Sequence, residues 1–153
     1  MILNNLEGKK IILASASPRR HELLKGIGLD FEVAVKGDVD ESFDETMPFE
    51  QVAIYLAQKK ALAYDSLIKP DAILITADTV VCTDEKILNK PANKKEAFEM
   101  LETLAGKKHS VITGVCIKSL EKEVCFSSES IVYFSRLLPE EISYYINKYK
   151  PYV

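Results

Sequence analysis

Residues 72–82, Ala-Ile-Leu-Ile-Thr-Ala-Asp-Thr-Val-Val-Cys, constrain the fold of this chain more than any other segment. A short, bounded apolar run reads as a buried strand, and Ala72 to Ala77 is the most apolar strand candidate in the sequence. Asp78-Thr79 interrupts it, and Val80-Val81-Cys82 continues it. A carboxylate at that place is costly unless it meets a cation, a metal or hydrogen-bond donors. Asp78 is therefore either a strand-end turn residue or a functional group.

The surrounding segments supply partners for such a strand. Lys9 to Ala14 reads as a second buried strand, broken by Ser15-Ala16-Ser17-Pro18. Ser17 suits a helix N-cap and Pro18 a first helical position. Leu23, Leu24 and Ile27 mark one face of that helix, and Gly26 and Gly28 end it. Phe31 to Val35 alternates as a strand does, and the acidic loop Asp38 to Glu45 follows. Pro48 opens a helix expected to reach about Ile68. Asn93 with Glu96 forms a capping box for a third helix, which Gly106 ends. Ser110 to Ile117 and Val124 to Phe134 read as two strands joined by a polar turn, and Pro139 to Tyr149 as a last helix. Strands and helices alternate early and a hairpin comes late. The class is α/β, a mixed twisted sheet with flanking helices, in one domain over residues 1–153.

Composition removes several function classes. Twenty Lys plus Arg stand against 23 Asp plus Glu, a net charge of −3. That balance speaks against a protein that coats a nucleic acid polymer or an anionic membrane, but leaves room for a small cationic site. No apolar run is long enough to cross a bilayer, and the N-terminus lacks a secretory core, so a cytoplasmic protein is expected. Cys82, Cys116 and Cys125 form no Cys-x-x-Cys pair and are expected to be reduced, mostly buried thiols.

Four groups carry candidate chemistry. Arg19 and Arg20 stand in the first turn of a helix, where the N–H groups and the dipole favour an anion and a guanidinium offers a fork for phosphate oxygens. The other reading is an ordinary Ser-Pro helix start with solvated arginines. The loop holding Asp38, Asp40, Glu41, Asp44 and Glu45 offers oxygen ligands for Mg²⁺, or is simply solvated. Asp78 is the third candidate, beyond the carboxyl end of a strand where ligands of open α/β sheets bind. Lys60 on the second helix and Lys90, stiffened by Pro91, can each bring a point charge to a phosphate or lie in solvent. His21, expected on a helix surface, and His109, at a strand start, lack ligand neighbours at zinc spacing. Tyr144, Tyr145 and Tyr149 suit core or interface packing better than base stacking.

The ordered set Leu13-Ala14-Ser15-Ala16-Ser17-Pro18-Arg19-Arg20-His21-Glu22-Leu23-Leu24, Val39-Asp40-Glu41, Lys60-Ala61, Ala77-Asp78-Thr79-Val80-Val81, Leu88-Asn89-Lys90-Pro91, Met100-Leu101, Leu104-Ala105-Gly106 and Thr113-Gly114-Val115 resembles the Maf family of nucleoside triphosphate pyrophosphatases. The resemblance implies an ITPase-like fold and cleavage of a nucleoside triphosphate to its monophosphate and pyrophosphate, in a house-cleaning role. It also implies a divalent cation, Mg²⁺ or Mn²⁺. The Ser-Pro-Arg-Arg form resembles the branch acting on dTTP and UTP, because the branch preferring 7-methyl-GTP tends to carry Trp where Arg19 stands. By resemblance, Ser15, Arg19, Arg20, Lys60 and Lys90 hold the triphosphate, Glu41 helps bind metal, and Asp78 is the base for water. Family members often pair, which implies a homodimer. They also continue past the Lys150-Pro151-Tyr152 point with an Asp-Lys-Ala-Gly-Ala-Tyr-Gly-x-Gln segment that these 153 residues do not contain. Two alternatives accompany this expectation: a nucleotide-binding fragment or cell-division regulator that does not hydrolyse, and a purine pyrophosphatase acting on ITP or XTP.

Overall fold

The computed structural model describes residues 8–36, 39–83, 86–88 and 90–150; Asp38 of the acidic loop and Asn89 lie outside them. The elements in order are β1 (Lys10–Leu13), α1 (Pro18–Gly26), β2 (Glu32–Val33), α2 (Phe49–Ala63), β3 (Ala72–Thr83), β4 (Lys86–Leu88), α3 (Lys94–Leu104), β5 (Lys108–Lys118), β6 (Glu123–Tyr133) and α4 (Pro139–Tyr149). The sheet order is β2-β1-β3-β5-β6, with β4 paired to β3. β1 runs parallel to both β2 and β3, and β4 is antiparallel to β3, so the sheet is mixed as expected.

The chain divides into two compact units, Met1–Thr79 with Thr113–Ser128, and Val80–Ile112 with Glu129–Val153. In the first, β1, α2 and β3 bury Ile12, Ala14, Ala57, Ala61, Tyr64, Leu74 and Cys116 in one core. Small alanines on one face of α2 let the helix lie close to the sheet. The buried Thr76 hydroxyl donates to the Ala57 carbonyl at 2.7 Å, which ties β3 to α2. Gly114 of β5 lies directly on the backbone of Ala53 and Ile54, where an added Cβ has no room.

In the second unit, α3 and α4 pack through Ala97, Ile142 and Ile146. Asn93 caps α3 by accepting from the Glu96 N–H at 2.9 Å, and the Glu96 carboxylate accepts from the Ala92 N–H at 2.7 Å. Gly106 follows α3 with φ +70°, the left-handed conformation that suits glycine. His109 is buried on β5, edge-on to Phe134 at 4.9 Å. Burial lowers its pKa from the usual value near 6.5. The folded state therefore binds fewer protons there than the unfolded one, and the stability held above the unfolded value is lost as pH falls below it and through the lowered folded value. Tm is expected to fall between pH 7.5 and 5.5, and His109→Gln to flatten that slope. An identical slope in the variant rules the assignment out.

Several expectations are corrected. β3 is not interrupted at Asp78-Thr79 but runs unbroken through Thr83. The carboxylate meets a cation, so the backbone needs no turn to expose it. α2 ends at Ala63, and a separate 3₁₀ turn, Asp65–Leu67, carries the chain on towards Ile68. β4 falls in a stretch to which the sequence assigns no element, and β2 is only two residues long, shorter than the Phe31 to Val35 expected. The expected apolar stripe of α1 is not a core face, because the helix buries no residue and Leu23 and Ile27 are exposed.

Candidate active site

Parallel pairing of β1 with β3 sets Leu13 beside Ile75, so Ser15, just past the carboxyl end of β1, lies level with Ala77-Asp78 midway along β3. The carboxyl ends of strands are where open α/β sheets bind ligands. The turn after β1 is held by three contacts. The buried Ser15 hydroxyl accepts from the Ser17 N–H at 3.1 Å, and the Ser17 hydroxyl caps α1 by accepting from the Arg20 N–H at 3.3 Å. His21 Nε2 lies 2.7 Å from the Ser15 carbonyl, which requires the ring nitrogen to donate. His21 is thus a brace for the turn rather than a solvated surface residue.

Arg20 reaches across to β3. Its Nη1 donates to the Ala77 carbonyl at 3.1 Å and its Nη2 to the Thr79 hydroxyl at 3.0 Å. The Thr79 hydroxyl lies 3.0 Å from that of Thr113 on β5, so a short hydroxyl chain fixes the guanidinium. Burial lowers the Arg20 pKa, and the nearby Asp78 carboxylate works against that shift. A guanidinium stays charged in either case, and its remaining N–H groups are available to an anion.

Lys60 comes from α2 to the same stretch of β3. Its ammonium lies 2.8 Å from Asp78 Oδ1, 3.2 Å from the Ala77 carbonyl and 3.7 Å from Glu41 Oε1. The Lys60 and Asp78 side chains are each 16% exposed, whereas that of Glu41 is 65% exposed. Water screens the pairing with Glu41 strongly, so the Lys60–Asp78 pair dominates. The acidic loop is clamped to α2 by the neighbouring lysine: Lys59 Nζ lies 3.0 Å from Asp40 Oδ2 and donates to the Ser42 carbonyl at 2.7 Å. Hydrogen bonds from Ser42, then Lys59, hold the Asp40 carboxyl well below the usual carboxylate range. Glu41, between these anchored neighbours, is therefore directed at Lys60.

The structure thus brings Ser15, Arg20, Lys60, Asp78 and Glu41 together. Arg19 is exposed on the first turn of α1, and Lys90 is an exposed residue of the second unit. Sequence reasoning missed His21, Lys59 and the Thr79–Thr113 chain. Thr113, the one hydroxyl in the stretch Val111 to Ile117 of β5, was the available signal.

Asp78 and Glu41 are hard oxygen donors reaching one ammonium, a donor set that fits a cation such as Mg²⁺ completed by water and phosphate oxygens. A cation bound there competes with Lys60 for both carboxylates. Among the described residues no helix is long and apolar enough to cross a membrane.

Comparison with known proteins follows the same line. A dTTP/UTP pyrophosphatase of Parabacteroides distasonis is 50% identical over 151 residues, 99% of this chain and 78% of that protein. One from Porphyromonas gingivalis is 46% identical over 153 residues, 99% of this chain and 77% of that protein. In fold, the chain is similar to the Staphylococcus aureus Ham1 protein, with a TM-score of 0.55 and 17% identity over 82% of this chain and 71% of that one. The model of the Maf-like protein family matches residues 10–153, and with that match this chain belongs to the Maf family.

Proposed function

We propose that this chain hydrolyses dTTP, UTP and related modified pyrimidine nucleotides to the monophosphate and pyrophosphate, with residues 1–153 as one catalytic domain. The single observation carrying this reading is the Lys60–Asp78 pair on β3, beside the Ala77 carbonyl that Arg20 grips from the first turn of α1. The names of the relatives supply the substrate class.

Hydrolysis at phosphorus needs positive charge around the phosphates and an acceptor for the proton of water. In this reading the N–H groups at the start of α1, the Ser15 hydroxyl and Arg20 hold phosphate oxygens, joined by Arg19 and Lys90. Lys60 leaves Asp78 for the triphosphate, and the freed carboxylate orients water and accepts its proton as pyrophosphate departs. Glu41 would help hold Mg²⁺ or Mn²⁺, which when bound neutralises charge on the phosphates. The exposed Tyr144, Tyr145 and Tyr149 of α4 support a homodimer, which sedimentation checks: a monomer at high micromolar concentration rules it out.

Pyrophosphate release from UTP, dTTP, ITP and XTP with Mg²⁺ and Mn²⁺ tests the reading. Faster turnover of the pyrimidine pair supports it. Preference for ITP or XTP overturns the substrate class, and nucleotide binding without turnover overturns the reaction. Arg20→Ala is expected to lower kcat/KM by about 10–100-fold, the worth of one charge-assisted hydrogen-bond donor set. Arg20→Lys recovers only part, because an ammonium cannot fork between Ala77, Thr79 and a phosphate. A parental kcat/KM in Arg20→Ala removes Arg20 from the site.

A further inference from the structure

Two of the three cysteines, expected to be simple buried thiols, meet. Cys116 Sγ on β5 and Cys125 Sγ on β6 are 2.6 Å apart. The hairpin explains why. The Ser119 N–H donates to the Lys122 carbonyl at 2.8 Å and closes a tight turn over Leu120-Glu121. Continuing the ladder from that pair sets Lys118 opposite Glu123, Ile117 opposite Val124 and Cys116 opposite Cys125. Antiparallel ladders alternate hydrogen-bonded and non-hydrogen-bonded pairs, and this count puts the cysteines in a non-hydrogen-bonded pair, where side chains stand closest. The Cα separation of such pairs, about 4.5 Å, is within disulfide reach.

We propose that Cys116 and Cys125 are a redox-active dithiol that closes a cross-strand disulfide when it meets a small-molecule disulfide such as glutathione disulfide. Glu123 stands beside the pair, and the three side chains offer donor atoms within 4.8 Å of one another, which raises a soft-metal site as the rival. The sulfur separation decides between them. Zinc bonded to two thiolates at about 2.3 Å in a tetrahedron holds the sulfurs about 3.8 Å apart. At 2.6 Å no ion fits between them.

The surroundings assign the order of events. Cys125 is half-buried, donates to the Glu123 carboxylate at 3.4 Å and receives a hydrogen bond from Gln58 Nε2 at 3.6 Å. Cys116 is fully buried, and burial, then the neighbouring Cys125 and Glu123, pushes its thiol up to about 12. Cys125 therefore attacks first: it loses its proton, bonds to one sulfur of the small disulfide and releases the other as a thiol. Cys116 then loses its proton, attacks Cys125 Sγ, and expels the second small thiol. The two protein thiols give up two protons and two electrons, and the small disulfide becomes two thiols. The new bond ties β5, which carries Thr113 and Gly114, to β6 at the edge of the sheet.

The test exposes the folded 153-residue chain to glutathione disulfide. The monomer mass is expected to fall by about 2 Da, with one peptide linking residues 116 and 125. Tm rises by about 5–10 °C, the scale for closing a loop of about ten residues in a chain of this size, and dithiothreitol reverses the change. Cys116→Ser should stop at a stable glutathione adduct on Cys125, and Cys125→Ser should form no intramolecular link. A parent that stops at the glutathione adduct, or links Cys82 instead, overturns the proposal. So does stoichiometric zinc binding that consumes both thiols in a chain that glutathione disulfide does not oxidise. Should either variant fail to fold, the mass and peptide map of the parent decide alone.

Discussion

Asp78→Asn is expected to slow pyrophosphate release from UTP by about 10²–10⁴-fold, the worth of a positioned general base. The amide keeps the shape of the carboxylate but cannot take a proton from water. The structure adds a second expectation. Asp78 holds the Lys60 ammonium at 2.8 Å, and a neutral amide in its place holds it less strongly, leaving Lys60 freer for phosphate. UTP affinity should therefore hold or rise as turnover falls. The measurement is turnover and direct UTP binding, both with the divalent ion at saturation, and Tm confirms that the fold persists. Near-parental turnover removes Asp78 from the base role and points to Glu41. A joint collapse of affinity and turnover makes Asp78 an anchor for metal or structure instead.

Gly114→Ala is expected to give a large loss of stability. The new Cβ meets the backbone of Ala53 and Ile54 in α2, not the end of a flexible side chain, so a rotamer change cannot relieve it. The helix and β5 must separate, and the Thr76–Ala57 contact with them. Overpacking of this kind costs about 3 kcal/mol, the upper end of the usual range, or a fall in Tm of about 6–12 °C. Because Lys60 rides on the same helix, kcat should also fall at temperatures where the variant remains folded. Thermal unfolding checks the first claim, and an unchanged Tm refutes it.

Local signals were legible where a short stretch determines its own conformation. Ser17-Pro18 and Asn93 with Glu96 mark helix starts because their side chains satisfy N–H groups within three residues. The hairpin of β5 and β6, the glycine after α3 and the last helix were visible for similar reasons. The apolar run 72–77 identified the central strand. Its continuation through Asp78-Thr79 was not visible, because a charge in a strand reads as a break until its partner is known. The stripe on α1 misled for the opposite reason: helical spacing says which residues share a face, not whether anything covers it.

The sequence by itself determined the α/β class, the order of the elements other than β4 and the 3₁₀ turn, and the residue types gathered at the site, since strand period, cap chemistry and the strand–turn–helix at Ser15 to Arg20 are all local. Only the tertiary structure decided which charges meet. Lys60 reaches Asp78 rather than solvent because α2 lies close on β3 and β5, and that closeness rests on Ala57, Thr76 and Gly114, which are far apart in the chain. Arg20 is aimed by Ala77, Thr79 and Thr113 for the same reason. Contacts between segments so distant leave no period or spacing to read, and they exist only once the apolar faces have packed.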